Sequence, residues 1–481
     1  MNEILTMSVV EMAKAIREGR LSPVEAVEAH IRRIEEVNPL TNALVNSRFT
    51  EARAEAKAAE QRLKQSRENL PPLFGVPCSI KESYAVKGLP WNAGVWARRD
   101  YIAEKNCVLV DRVQKAGAIV LGKSNVPEAT MWCESYNYIY GRSKNPYDLR
   151  RGVGGSSGGE GAMVASSCAP FGLGADIGGS IRYPAAFNGV PGHKPTGRIV
   201  PNSGQWPAGE GPLNAYYCSG PFARRVDDLA YLMPILVGPD GEDPMTLDRP
   251  WRGPETVDQA KLKVYYFDYN GQARCDADVR RAIALAAGVF AGRGNPVKYW
   301  RPEGMEKSLD IWQAGMAQNP DPMTKILGNG APISLLKETG KFIVRRGKIT
   351  APCLGAALIE KPGQLLSFLN KRNLKLMEDL RRRIEDRLGD NGVLLSPVFP
   401  IPAPKHGHPW FHLFGIGYSG VMNIMEFPAT ILPIFHREQD GVPVSIQVVS
   451  KRFNDHVTLA AAKALEEALG GWKPIERVGN K

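Results

Sequence analysis

Between Arg151 and Ser180 the sequence runs RGVGGSSGGEGAMVASSCAPFGLGADIGGS, crowding Gly, Ser and Ala around two apolar patches. Glycine at this density lets backbone approach backbone, or a ligand, more closely than side chains permit. A chain with such a stretch in its interior must build a tight system of turns there and brace it with regular elements on either side. The glycines are local events: with 49 Gly and 37 Pro in 481 residues, the chain stays below the roughly 25–30% that marks low complexity. A content of 43% apolar and 23% charged residues is an ordinary globular balance and excludes disordered or fibrous chains.

The flanks supply that bracing. The first 70 residues read as helices, with Val9, Met12, Ala13 and Ile16 at helical spacing and Ser22-Pro23 as an N-cap followed by Pro at the first helical position. Residues 51–64, EARAEAKAAEQRLK, form a strong helical segment that Pro71-Pro72 closes. From Leu73 the texture becomes short apolar runs punctuated by Gly or Pro: LFGVPCSI (73–80), then the periodic VLVDRVQKAGA (108–118) leading into IVLG (119–122). Residues 221–238 read as helical, 261–267 and 392–396 as strands, and GVPVSIQVVS (441–450) as a strand before a helix from Asp455 to Leu469. No repeat and no long linker divides the chain, so one large α/β unit over 1–481 is expected, with helices in 1–70, a strand-and-helix core in 71–240, and 290–350 as the least patterned region and a candidate pocket insertion.

Several features that invite other functions lose their force in context. The net charge of +11 suggests nucleic acid, but the basic residues are dispersed, as where Lys371, Arg372, Lys375 and Arg381 alternate with Leu374, Leu376 and Leu380 on a solvated helix face. Seven scattered cysteines without a CxxC pair argue against a disulfide framework or a zinc site and fit a reducing, cytoplasmic setting. The N-terminus carries Glu3 and Glu11 and offers no uncharged apolar run, so neither a signal peptide nor a membrane span is expected. Gly117 to Ser124 matches the P-loop pattern by letter, yet the intervening residues form an apolar strand instead of a phosphate-cradling loop. Gly154-Gly155-Ser156-Ser157-Gly158 matches the nucleophile elbow GxSxG, but charged loop sequence, Tyr147 to Arg151, stands where the buried strand should be. His406, His408 and His412 lie in a Pro-rich loop with no HExxH helix, which favours surface or packing roles over a metal.

One lysine and two serine-bearing glycine turns remain. Lys81 follows the apolar run VPCSI and should end a strand, where desolvation lowers a lysine pKa toward the range of a neutral base; lone lysines at strand ends are otherwise mostly surface residues. Ser156 and Ser180 lie 24 residues apart, each among glycines. Asp176-Ile177-Gly178-Gly179-Ser180-Ile181-Arg182 places consecutive backbone N–H groups in a turn suited to a tetrahedral oxyanion. For either serine alone, an ordinary glycine turn accounts for the same residues equally well.

Taken together, Gly154 to Ala162 and Gly174 to Ala186 resemble the amidase signature. Gly75 to Glu82, Leu121 to Glu128, Gly192 to Gly197, Gly220 to Arg224 and Gly441 to Gln447 are similar to further segments of the same family in the same order, covering most of 70–240 and 420–470. The resemblance implies the amidase signature α/β/α fold, a mixed and mostly parallel sheet covered by helices, and a Ser-cisSer-Lys hydrolase. Ser180 would be the nucleophile, Ser156 the bridging serine after a cis peptide at Gly155, and Lys81 the base. Ile177, Gly178, Gly179 and Ser180 would form the oxyanion hole, with Ser157, Asp176 and Arg182 in support. His193-Lys194-Pro195-Thr196 and Glu160 resemble the fatty-acid-amide-hydrolase-like branch, here without a membrane span. By position Thr130 falls where family members contact the scissile amide, while Trp132, Tyr136 and Tyr138 are candidates to line an apolar pocket, or else packing aromatics. The activity so implied is hydrolysis of small or aryl amides, with esters and carbamates (urethanes) as further carbonyl substrates. It needs no metal and no cofactor, takes a small-molecule partner and no nucleic acid, and admits a homodimer. The alternative is a glutaminase-type subunit of a tRNA-amidating complex.

Overall fold

The computed structural model describes residues 2–209, 211–365 and 367–479; positions 1, 210, 366, 480 and 481 lie outside it. The N-terminal helices are α1 (Val9–Arg17), α2 (Pro23–Thr41) and α3 (Phe49–Gln65). Ser22 caps α2 with Pro23 at its first position, and the Glu25 carboxylate returns to the Ser22 N–H at 2.9 Å, which closes a capping box. Helix α3 stops at Gln65, short of the Pro71-Pro72 pair, where Ser66 turns extended.

The strands are β1 (Leu44–Ser47), β2 (Pro77–Lys81), β3 (Ile119–Ser124), the short hairpin β4 (Tyr136–Asn137) and β5 (Gly141–Arg142), then β6 (Phe171–Asp176), β7 (Gly192–Lys194), β8 (Cys218–Ala223), β9 (Lys263–Tyr266), β10 (Val297–Tyr299), β11 (Gly392–Pro397), β12 (Ala429–His436) and β13 (Pro443–Val449). Apart from β4–β5 they form one mixed sheet ordered β1-β3-β2-β6-β8-β7-β12-β13-β11-β9-β10. Parallel pairing joins β3-β2-β6 and β11-β9-β10, and antiparallel ladders make the other joins. Covering and connecting helices are α4 (Val108–Lys115), α5 (Gly158–Ala165), α6 (Arg182–Asn188), α7 (Val226–Leu236), α8 (Ala277–Gly292), α9 (Ser308–Met316), α10 (Met323–Leu327), α11 (Leu335–Ile343), α12 (Ala351–Leu365), α13 (Ser367–Leu388), α14 (Ile416–Ile424) and α15 (Asp455–Leu469). Among the described residues no helix is long and apolar enough to cross a membrane.

Local signals that predicted β2, β3, β9, β11, β13 and α15 agree with the structure. Residues 221–238 differ. Positions 221–223 belong to β8, buried along its whole length between β6 and β7, and the helix begins only at Val226. Part of 290–350 is also framework: β10 closes one edge of the sheet. All seven cysteines are free and buried. The P-loop lookalike is strand β3, with Lys123 fully buried and paired with Glu82 at 3.5 Å.

Candidate active site

Adjacent parallel strands β2 and β6 end side by side, and ligands of α/β sheets gather at such carboxyl ends. Lys81 is the last residue of β2 and Asp176 the last of β6. Between β5 and β6 the glycine-rich chain brings Ser156 and Ser157 to the start of α5, and beyond β6 the turn 177–180 leads into α6. The peptide bond between Gly155 and Ser156 is cis. The N–H of Ser157 donates to the Ser180 carbonyl at 3.1 Å, which holds the two serine turns together.

Lys81 Nζ donates to Ser156 Oγ at 2.7 Å and to the Ala175 carbonyl at 3.3 Å. Lys81 and Ser156 are 1% and 2% exposed, whereas Ser180 is only partly buried and is the most accessible of the three. Burial pushes the Lys81 amine down from 10.5 to about 7, with the charges of Asp176 and Glu160 opposing the shift. Glu160, on α5, is itself pushed up to about 7 by burial and accepts a 2.6 Å bond from Ser79 Oγ. Gly172 on β6 makes room for it: a Cβ there would stand 1.7 Å from Glu160 Oε2.

The turn after β6 is organised by Asp176. Its carboxylate accepts from the backbone N–H groups of Gly179 (2.8 Å), Ile181 (3.0 Å) and Arg182 (3.3 Å) and from the Arg182 guanidinium at 3.0 and 2.9 Å. Burial alone would favour the neutral acid, but Arg182 and these donors hold Asp176 well below the usual carboxylate range. Arg182 in turn reaches the Ser419 carbonyl (2.8 Å), Gln447 (3.1 Å) and the Asn423 side chain, tying the turn to α14 and β13. Ser157 Oγ bonds Ala175 from both sides, donating to its carbonyl at 3.2 Å and accepting from its N–H at 3.3 Å. The Gly179 N–H, one of the four turn donors expected to meet an oxyanion, is thus engaged by Asp176.

The amidase family model matches residues 25–459 of this chain. The chain belongs to the amidase signature family. Fatty-acid amide hydrolase 2-B of Danio rerio is 39% identical over 488 residues, covering 98% of this chain and 91% of that protein. The acylamidase of Rhodococcus erythropolis is 36% identical and covers 97% of this chain and 96% of its own length. A solved fatty acid amide hydrolase superposes with a TM-score of 0.80 at 25% identity, over 98% of this chain and 86% of that one.

Around the amidase signature residues, the predicted pocket positions separate. Thr130 is half-buried, and its side chain interacts with the Tyr217 hydroxyl. The carbonyl of Trp132 lies against Gly155, where a Cβ would come within 2.1 Å of it, and the Trp132 ring packs on Trp410 with centroids 4.4 Å apart. Tyr136 stays in the β4–β5 hairpin, against Tyr138 at 5.6 Å and under Arg142 at 4.8 Å. Helices α10 and α12 pack on Ala129 and Met131, so 323–357 adjoins the Thr130 segment. His406 contacts Glu134 at 3.3 Å and the Leu149 carbonyl at 3.2 Å. Among the described residues no group of three or more His, Cys, Asp or Glu side chains is placed to hold a metal. Two residues at the turn carried no sequence signal: Trp312, whose indole N–H donates to the Ile177 carbonyl at 2.9 Å, and Asn423, whose amide donates to the Asp176 carbonyl at 2.9 Å.

The Asp176–Arg182 pair is fully buried on both sides. Removing one partner leaves an uncompensated charge in the interior, a loss of about 3–5 kcal/mol. Arg182→Met should therefore lower the unfolding free energy obtained from denaturant titration by that amount, and Asp176→Asn in the same chain should recover part of it; additive losses in the double variant would show that the two act independently.

Proposed function

We propose that this amidase-family chain hydrolyses the C–N bond of small or aryl amides through a Ser180–Ser156–Lys81 relay and an acyl-enzyme. The observation that carries the reading is the 2.7 Å contact between a wholly buried Lys81 and Ser156, with the amine held near neutrality by burial. A neutral Lys81 takes the Ser156 proton as Ser156 takes that of Ser180, so an otherwise weak hydroxyl becomes nucleophilic without histidine. Ser180 Oγ then bonds the substrate carbonyl carbon, and the carbonyl oxygen gathers negative charge against the N–H groups of Ile177, Gly178 and Ser180. Run backward, the relay delivers the proton to the leaving nitrogen as the C–N bond breaks, and a water repeats the cycle on the acyl-enzyme. Esters and carbamates present a carbonyl to the same groups and belong to the proposed range. The tilted Trp132–Trp410 ring pair, whose Trp132 carbonyl lies against Gly155, supports aromatic or apolar substrates.

The relatives named as a fatty-acid amide hydrolase and an acylamidase support direct hydrolysis. A glutaminase subunit gains no specific support. The deciding experiment profiles the purified chain, without partner proteins, over aryl amides, fatty amides, glutamine and carbamates. Turnover of an aryl amide is expected, and turnover confined to glutamine would overturn the proposal.

Ser180→Ala should abolish both hydrolysis and covalent labelling by a serine-directed fluorophosphonate, because it removes the attacking oxygen. Undiminished labelling would move the nucleophile to another serine.

Lys81→Ala should harm amide hydrolysis more than hydrolysis of a nitrophenyl ester, since an amine leaves only when protonated and nitrophenolate leaves unaided. General acid–base groups contribute about 10²–10⁴-fold, and the gap between the two substrates should be of that size. The sign of the pH dependence follows from burial. Lys81 is neutral above about 7, so amide turnover should rise through pH 7 to an alkaline plateau in the parent protein. Equal losses on both substrates would remove the proton-return role.

A further inference from the structure

Four peptide units span Asp176 to Ser180, and each is gripped from outside. The carbonyl joined to the Ile177 N–H accepts from Asn423 Nδ2 at 2.9 Å. The carbonyl joined to the Gly178 N–H accepts from Trp312 Nε1 at 2.9 Å. The unit carrying the Gly179 N–H is held by that N–H, which donates to Asp176 at 2.8 Å. The carbonyl joined to the Ser180 N–H accepts from the Tyr183 N–H at 2.6 Å. A peptide unit is planar, with its carbonyl and N–H on opposite edges, so a bond to the carbonyl sets where the N–H points. The three units gripped by their carbonyls are those whose N–H groups the proposed mechanism turns toward the oxyanion.

We propose that Trp312 is a positioning residue for the oxyanion hole: its indole N–H fixes the Ile177–Gly178 peptide plane so that the Gly178 N–H points at the developing oxyanion. The proposal rests on the reading of Ser180 as nucleophile. Trp312 comes from α9, which lies 135 residues along the chain from Ile177. It is only partly buried, yet its N–H is directed at a backbone carbonyl instead of at solvent. The ring is wedged between two glycines. A Cβ on Gly178 would stand 3.0 Å from the indole Cζ2 and Nε1, and a Cβ on Gly420 of α14 would stand 2.6 Å from Cδ1 and Cγ. Both glycines leave the ring room to lie against the turn and against α14 at once. Donation to a carbonyl also polarises the amide and strengthens the N–H on its far side. Asn423 performs the matching service one unit earlier, but it also bonds the Tyr216 carbonyl and the Arg182 guanidinium, so its loss would disturb more than the turn. The Trp312 indole has a single donor and spends it on Ile177, so deleting that donor while keeping an aromatic ring disturbs less than losing Asn423.

Trp312→Phe keeps an aromatic ring and deletes the donor. Loss of a direct oxyanion donor typically costs about 10²–10³-fold in kcat, so a bond acting one peptide behind it should cost roughly 5–20-fold in kcat with KM within about twofold. Affinity for a trifluoromethyl ketone, which becomes a tetrahedral oxyanion on the serine, should fall by the same factor, while affinity for the corresponding alcohol should not change. Gly420→Ala, which pushes the ring from the other side, should lower kcat and ketone affinity in the same direction, and it carries the test should Trp312→Phe fold poorly. Unchanged kcat, a loss confined to KM, or equal weakening of ketone and alcohol would overturn the role of Trp312. Ser180→Ala, measured in parallel, separates the two claims: amide turnover by that variant overturns both, whereas an inactive Ser180→Ala beside a fully active Trp312→Phe overturns the positioning role alone.

Discussion

The Asp176 carboxylate, buried at the end of β6 and neutralised by Arg182, is the interaction on which the geometry around it depends. A buried ion pair adds little net stability, because desolvating both charges offsets most of their attraction, but it is demanding about geometry. Here that demand is put to use. One carboxylate holds three backbone N–H groups of the turn and its entry into α6, and its partner arginine extends the constraint to α14 and β13. The backbone from 176 to 182 is thereby bound to elements up to 265 residues away. A loop held in this way presents its N–H groups without having to reorganise when charge appears before them, which is the condition under which fixed dipoles are most effective.

Two lysines of neighbouring strands show how a neighbour alters a buried amine. Lys81 ends β2, opposite Ser124, and Lys123 lies one residue back in the neighbouring β3, opposite Ile80; both are withdrawn from water. Burial lowers both pKa values. Lys123 has Glu82 at 3.5 Å as a counter-charge, and Glu82 is further held by the N–H groups of Asn92 and Ala93. Lys81 is given a hydroxyl and a carbonyl as partners, with Asp176 committed to Arg182. The first arrangement suits a structural charge. The second suits an amine that gains and loses a proton, which is the part proposed for Lys81.

Much of the framework was legible because its signals are local. Ser22-Pro23 with Glu25 announces a helix start through hydrogen bonds that close within four residues, and the apolar runs of β2, β3 and β13 announce buried strands. β8 was not legible in CSGPFA: Gly and Pro weaken the strand pattern, and the run becomes a strand because β6 and β7 flank it on both sides. At the site, Lys81 stood out as a lysine closing an apolar run and Ser156 and Ser180 as serines amid dense glycine, which allows close backbone approach, and the family resemblance joined the three. Trp312 and Asn423 did not, since they meet the turn from 135 and 247 residues away and sit in helices whose own pattern says only that one face is apolar.

By itself the sequence determined much of the inventory: the strands and helices with strong local patterns, and a lysine and two glycine-flanked serines able to make a proton relay. It also carried the family resemblance, since residue types at fixed spacing are a one-dimensional property. Tertiary structure decided what those groups are chemically. Whether Lys81 is an ammonium or an amine depends on how completely water is excluded and on which carboxylates are already committed elsewhere. The direction in which the Ile177, Gly178 and Ser180 N–H groups point depends on partners brought in by α9 and α14. Solvation and hydrogen bonding act through space, so neither is written in the spacing of residues along the chain.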